Sequence, residues 1–242
     1  MTTWFNRVQQ VITPRQTWSP PSVFDRHQWL NSCRPESIRI KGRTYQILKR
    51  VFDLSLIGLT LPFWAPLMLL IGCLILLEGF QGPVIFTQPR TGKGGRRFLM
   101  YKFRTMVVDA EEKKQELMHL NELQWPDFKI TNDPRITKIG RILRKTSLDE
   151  LPQLFNVIRG EMSLVGPRPT SFSAENYRLW QTERLEVTPG ITGLWQLLGR
   201  GNTEFDERLR MDILYIERQS LCLDIKILLR TVLAVAQGRG AK

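Results

Sequence analysis

The 242-residue chain has room for one core-bearing domain with appendages, but not for two full domains. Its 35 Lys and Arg against 23 Asp and Glu leave a net charge of +12, which favours anionic partners (nucleic acid, anionic lipid or phosphorylated substrates) without choosing among them. Three dispersed cysteines, Cys33, Cys73 and Cys222, form no metal-ligand pair or disulfide framework, and two histidines, His27 and His119, leave little material for a His-based zinc centre or a Ser-His-Asp triad.

Residues 1–45 are rich in Pro, Gln, Ser, Thr and Trp, show no clear periodicity and lack the apolar core of a signal peptide; they read as a loosely ordered extension. Its tryptophans Trp4, Trp18 and Trp29 are available to a membrane interface or belong to a flexible tail. Residues 46–80 contain the uncharged run Leu54 to Leu77, 24 residues, long enough as a straight helix to cross a bilayer core of about 30 Å.

Two features argue for a helix that enters and returns. Pro62 and Pro66 lie at the middle of the run, each removing a backbone donor, so a sharp kink or break is expected, with halves of roughly 17 Å that reach about the midplane. Residues 34–50 and residues 78–104 each hold six basic groups against one acid, and one crossing cannot keep both basic flanks in the cytoplasm. A re-entrant helix-break-helix satisfies both; a spanning helix and a buried soluble helix are the alternatives.

Residues 81–242 read as a cytosolic catalytic body. "PVIFTQ" and "RRFLMYKFRTM" predict two β-strands joined by the basic, glycine-rich turn "PRTGKGG", which is not a Walker A loop. Strand alternation places Lys102 and Arg104 on one face, where they meet either an anion or solvent. "DAEEKKQELMHLNEL" predicts a charged surface helix. In "DPRITKIGRILRKTSLDELPQLFNVIRG", Ile136, Ile139 and Leu143 form a helical stripe, with Arg135, Lys138, Arg141, Arg144 and Lys145 around the rest.

That basic helix leads to Asp149 and Glu150. Ser147-Leu148-Asp149-Glu150 has the spacing of a capping box, yet Pro152 fits a first turn better if the helix starts nearer Asp149, which would put that carboxylate at a helix N-terminus, where a phosphate is also held. Local pattern favours cap over catalyst. Arg168 lies between two prolines in "MSLVGPRPTS", a rigid setting for a phosphate-binding guanidinium or for a pair with a carboxylate such as Glu161. "TPGITGLWQLLGRGN" adds Gln196 and Arg200 on a glycine-dense loop that is either a ligand loop or an ordinary turn. The last helix carries Leu221, Ile225, Leu228, Val232 and Leu233 on one side and Lys226 and Arg230 on another, suiting a membrane interface or a core.

The motifs "RVFDLSL", "PVIFTQPRTGKGGRRFLMYKFRTM", "DPRITKIGRILRKTSLDELPQLFNVIRGEMSLVGPRP" and "PGITGLWQLLGR" resemble the bacterial sugar transferases, the monotopic polyprenol-phosphate phosphoglycosyl transferases, in order from about Lys49 to Val235. The resemblance is to the small, catalytic-core form. It implies an α+β monotopic membrane protein of the bacterial inner membrane, with a re-entrant helix, a small hairpin, a mainly helical catalytic domain facing the cytoplasm and interfacial amphipathic helices. It implies a UDP-sugar donor, a polyprenyl (undecaprenyl) phosphate acceptor and release of UMP, initiating polysaccharide or glycoconjugate assembly.

On that resemblance, Asp149 matches the nucleophile that forms a covalent phosphosugar, and Glu150 the dyad residue that binds Mg²⁺. Arg144 and Arg168 match arginines near the dyad, with Lys102, Arg104 and Arg200 as further phosphate contacts and Gln196 as a substrate contact. The family's membrane break is a Ser-Pro step; here the aligned pair is Ala65-Pro66, without the hydroxyl that would satisfy a freed carbonyl, and Pro62 strengthens the break instead. The lipid bilayer is an implied partner, a homo-oligomer is compatible, and no nucleic-acid partner is expected, since no RNA-binding aromatic signature or zinc-finger spacing is present. An ordinary glycosyl transferase releasing UDP and a basic, non-enzymatic lipid- or nucleic-acid-binding protein are the rival readings.

Overall fold

Gly42–Leu77 forms one helix, α1, of 36 residues, in a computed structural model that describes residues 29–30, 40, 42–79, 82–122, 128, 130–199 and 204–238. The chain divides into a first unit, Met1–Ile38, described only at the short turn 29–30, and a second, Arg39–Lys242, to which everything below refers. The tail readings for Trp4 and Trp18, and Arg200, lie outside the described residues.

The expected break does not interrupt α1, which carries both Pro62 and Pro66 in its interior. Side chains add donors to carbonyls upstream of Pro62. Thr60 Oγ1 donates to Leu56 O at 2.7 Å, and the Trp64 indole reaches back seven residues to Ile57 O at 3.0 Å. Neither contact reaches the carbonyls four residues before each proline, those of Gly58 and Pro62, so neither replaces the hydroxyl missing at Ala65.

Much of α1's apolar surface faces outward: Leu59 is 76% exposed, Phe63 78% and Leu69 73%. Each such side chain would gain about 1.5–3 kcal/mol on leaving water, so the surface calls for an apolar solvent. The helix is long and apolar enough to cross a membrane.

Both ends of α1 nevertheless pack on the same body. Near its start, Lys49 Nζ and Tyr45 Oη each donate to Asp224 Oδ2 at 2.8 Å, Ser163 Oγ donates to Asp53 Oδ2 at 2.6 Å, and Arg50 donates to the carbonyls of Val157 and Ile158. Near its end, Ile71 and Ile75 form a core with Phe103 and Leu143, flanked by Leu148 and Leu151. Those two leucines bracket Asp149 and Glu150, so the candidate dyad is anchored on the apolar helix.

The hairpin forms as β1 (Ile85–Thr91) and β2 (Arg97–Phe103), antiparallel, with Phe86 opposite Lys102, Gln88 opposite Met100 and Arg90 opposite Phe98. β1 therefore runs through Pro89 and Arg90, which the sequence reading gave to the turn. The expected charged helix is shorter, α2 (Ala110–Glu116) followed by a 3₁₀ turn at Met118–Leu120. The basic helix is α3 (Lys138–Thr146), with the Thr137 hydroxyl accepting from Gly140 N as its N-cap. Ile136 and Arg135 precede α3. Arg135 is buried and paired with Asp133 at 2.6 Å instead of crowding a solvent face, because a buried guanidinium requires a partner. Gly140 has to be a glycine: a Cβ there would lie 2.2 Å from Thr105 O, so α3 rests flush on the chain leaving β2.

After α4 (Gln153–Arg159), β3 (Ser163–Val165) pairs in parallel with β4 (Gly190–Thr192), a second two-stranded sheet that the sequence reading lacked. Three residues per strand are too few for a period to register. A Cβ at Gly190 would meet Gly166 N at 2.0 Å, and this close approach fixes the loop that carries Arg168. α5 (Leu194–Leu198), α6 (Phe205–Arg218) and α7 (Leu221–Ala236) complete a mainly helical α+β body. α7 turns Leu223, Asp224 and Ile227 inward and leaves Ile225, Leu229, Val232 and Leu233 exposed, so its apolar residues are shared between core and surface.

Candidate active site

α3 stops at Thr146 because Ser147 adopts the left-handed conformation (φ 58°, ψ 16°) and its N–H closes on the Arg144 carbonyl, a helix C-cap. One 3₁₀ turn, Leu148–Glu150, follows, and α4 starts only at Gln153 with Pro152 as its N-cap. The capping-box reading is therefore corrected. Ser147 ends one helix instead of beginning the next, its side chain makes no cap hydrogen bond, and Asp149 stands on a tight turn ahead of α4.

The turn aims both carboxylates at β2 and the Arg168 loop. Glu150 receives Lys102 Nζ on Oε1 at 2.8 Å, while Arg168 forks across it, Nη2 to Oε1 at 2.5 Å and Nη1 to Oε2 at 3.2 Å. Arg168 is thus paired with Glu150. Glu161, the partner considered from sequence, instead accepts from Asn156 Nδ2 at 2.6 Å. Asp149 is buried, with Lys102 Nζ 3.9 Å from Oδ2. Arg144 is aligned by Thr105, whose hydroxyl accepts from its Nε at 2.8 Å.

Environment divides the two acids. Burial pushes the Asp149 carboxyl above the ordinary carboxylate range, and Glu150 adds to this, against the pull of Lys102, Arg144 and Arg168. For Glu150 burial acts in the same direction, but Arg168 and Lys102 overrule it and hold that carboxyl far below its usual value. Arg168 is driven up by Glu150, and Arg144 is lowered by burial against Asp149 and Asp133. The site thus holds one permanently ionised acid locked to two cations, and one acid in a drier position whose charge is less fully compensated. Once ionised, the second is the more basic of the two carboxylates.

The remaining predicted residues stand elsewhere. Arg104 donates Nε to Pro83 O at 2.9 Å and lies over the Phe86 ring, beyond the end of β2. Gln196, on α5, gives its amide to Ile191 O at 2.8 Å. As for metal, no group of three or more His, Cys, Asp or Glu side chains converges among the described residues. Two adjacent carboxylates are a partial oxygen set, of the kind Mg²⁺ accepts when substrate phosphates and water supply the rest.

Two residues that support the Arg168 loop escaped sequence reasoning. Arg184, in the 3₁₀ stretch Leu179–Glu186, is buried, donates Nη2 to the main-chain carbonyl of Arg168 and pairs with Asp212 Oδ2 at 2.8 Å. Together they support the loop from behind. "LWQTERLE" reads as a solvated charged segment and hides Arg184. Asp212 did leave a signal, a charge three residues from Leu209 and from Tyr215 on the buried side of α6.

The bacterial sugar transferase family model matches residues 44–238. The chain belongs to that family. The galactosyl transferase CpsE of Streptococcus agalactiae is 53% identical over 163 residues, 66% of this chain and 36% of that protein. The undecaprenyl-phosphate galactose phosphotransferase of Salmonella typhimurium is 43% identical over 204 residues, 82% of this chain and 42% of that protein. The UDP-glucose:undecaprenyl-phosphate glucose-1-phosphate transferase of Caulobacter vibrioides is 44% identical over 195 residues, 76% of this chain and 68% of that protein. The chain thus spans about two fifths of the length of the first two relatives, and every candidate site residue lies inside the segment matched by the bacterial sugar transferase model.

Proposed function

We propose that this sugar transferase moves a sugar-1-phosphate from a UDP-sugar to polyprenyl phosphate, undecaprenyl phosphate being the acceptor class, at the cytoplasmic face of the bacterial inner membrane. The observation that carries the reading is a buried aspartate, Asp149, beside a carboxylate already neutralised by Lys102 and Arg168, with the Arg144 cation also acting on it. The activities for which the Salmonella and Caulobacter relatives are named agree with it.

In the first step an Asp149 oxygen bonds to the sugar-bearing phosphorus while the bond from that phosphorus to the bridging oxygen breaks, and UMP leaves with the electron pair. No proton has to move. The lipid phosphate oxygen then attacks the same phosphorus, the bond to Asp149 breaks, and the carboxylate is restored. Lys102, Arg144 and Arg168 offset the charge that gathers when a carboxylate approaches a diphosphate. Mg²⁺, held by Glu150 with substrate oxygens, would supply further positive charge at the phosphates.

The fold supports a re-entrant, monotopic seat. Lys49 and Asp53 at one end of α1 and Ile71 and Ile75 at the other hold the same body, so the exposed apolar middle dips into one leaflet and both basic flanks stay on the cytoplasmic side.

The test is detergent-solubilised protein with Mg²⁺ and a panel of UDP-sugars, first without acceptor. The expected outcome is a burst of UMP and a phosphosugar mass on the peptide containing Asp149. Release of UDP, or an Asp149→Asn variant as active as wild type, overturns the reading.

A further inference from the structure

Arg90 lies beside the dyad with no carboxylate of its own among its described contacts. It shares a face of the hairpin with Gln88 and Lys102, because Arg90, Gln88 and Phe86 stand opposite Phe98, Met100 and Lys102. The next residue, Thr91, hydrogen-bonds through its N–H to Thr170 O at 3.0 Å, tying this end of β1 to the segment that follows Arg168. The Arg90 guanidinium donates Nη2 to Gln88 Oε1 at 2.5 Å, and its buried Nε has no hydrogen-bond partner. Burial and the adjoining Arg168 cation lower its pKa to about 10, which leaves it charged at neutral pH.

The charges around the dyad do not balance. Lys102, Arg144, Arg168 and Arg90 face only Asp149 and Glu150, an excess of two positive charges, while nearby Asp133 is taken by Arg135. Arg97 adds to the positive field but is held by Thr91 Oγ1 and Ser171 O. Like charges kept together in a partly dry site are costly unless an anion joins them, and a nucleoside diphosphate ester brings negative charge on two adjacent phosphates. Asp149 feels Lys102, Arg144 and Arg168, whereas Arg90 feels Arg168 and Glu150, so Arg168 is the cation the two residues share.

We propose that Arg90 and Arg168 form a two-arginine clamp for the donor's diphosphate, with Arg168 shared between its two phosphates and Arg90 on the phosphate remote from Asp149, the one esterified to the nucleoside. This rests on the proposed function for the identity of the donor, while the clamp itself requires only a diphosphate.

The test uses the full chain in detergent and the variants Arg90→Gln and Arg90→Lys. Isothermal titration with UMP, UDP and inorganic pyrophosphate is expected to show Arg90→Gln weakening all three by on the order of ten- to a hundredfold, as for one charge-assisted contact, with Arg90→Lys restoring part of the loss. With a UDP-sugar that turns over, the KM for donor rises by a similar factor while kcat changes less. Wild-type affinity for UMP and pyrophosphate in Arg90→Gln overturns the clamp. Lost pyrophosphate binding in a protein that turns over no UDP-sugar upholds the clamp and overturns the function; normal turnover with an unchanged donor KM in Arg90→Gln does the reverse.

Discussion

The guanidinium of Arg168 meets the carboxylate of Glu150 edge to edge, both nitrogens engaged, while Lys102 closes on the same carboxylate from β2. Glu150 is therefore a structural keystone as well as a site residue. Glu150→Ala leaves two enclosed cations without their counter-ion. A fully buried pair would lose 3–5 kcal/mol on such truncation; because Arg168 retains 30% side-chain exposure, about 2–3 kcal/mol is expected, read as a lower urea midpoint with unchanged slope. The sign with pH is fixed. The folded pKa lies below the unfolded value of 4.5, so this stabilisation is complete above that value and is lost as pH falls toward the folded pKa. The gap between wild type and Glu150→Gln should shrink in the same window.

Asp149 runs the other way. Its folded pKa lies above the unfolded 3.8, so the native state holds that proton more tightly, and ionisation lowers stability as pH rises from 3.8 through the folded value. Asp149→Asn is thus expected to abolish covalent labelling while leaving unfolding free energy at pH 7 equal to or above wild type. The rate of phosphosugar capture by wild type should rise with pH along its acid limb, as the carboxylate forms. An Asn variant that is both inactive and severely destabilised would mean that Asp149 serves the fold.

These opposite behaviours were not legible in the sequence, where Asp149 and Glu150 are simply adjacent acids. What could be read was local. The hairpin followed from alternating strands, the basic helix from its stripe, the apolar helix from its length, and Arg168 stood out between its prolines. What could not be read depends on distant chain segments. The parallel pair Ser163–Val165 and Gly190–Thr192 is too short to leave a period, yet it sets the Arg168 loop. Arg90 was concealed by Pro89, which marks turns but is tolerated on an edge strand. Ser147 matched a capping-box pattern because spacing does not record the sign of φ.

The buttress behind the loop provides a third prediction. Arg184 holds the Arg168 carbonyl and pairs with Asp212, whose carboxyl is pushed up to about 7 by burial, against Arg184 and Arg208. Arg184→Ala should lower kcat/KM by at least about tenfold, because Arg168 loses its backing, whereas Arg184→Lys recovers part of it. For Asp212 the folded pKa again exceeds the unfolded one, so its ionisation removes stability between about pH 4 and 7. Asp212→Asn should therefore flatten the stability profile across that interval, measured by chemical denaturation at fixed ionic strength. A profile as steep as wild type's would place the titration on another group.

The last prediction concerns the seat in the membrane. α1 is about 54 Å long at 1.5 Å per residue, yet Lys49 near its start and Ile75 near its end are both fastened to one body. A helix crossing the bilayer would have to release one fastening. In a cysteine-free background, Arg43→Cys and Arg96→Cys flank the apolar run, both at exposed positions. A membrane-impermeant thiol reagent should label both in inside-out vesicles and neither in right-side-out ones. Pro62→Ala combined with Pro66→Ala restores two backbone donors and favours a straighter rod. That variant should bring one flank to the outer face, or lower Tm by several degrees as the Lys49–Asp224 or Ile71–Phe103 contact gives way. Labelling of the Arg43→Cys flank from outside in the otherwise wild-type chain would establish a crossing and sink the re-entrant reading. Unchanged labelling and Tm in the double proline variant would assign the one-sided seat to the two fastenings and not to the prolines.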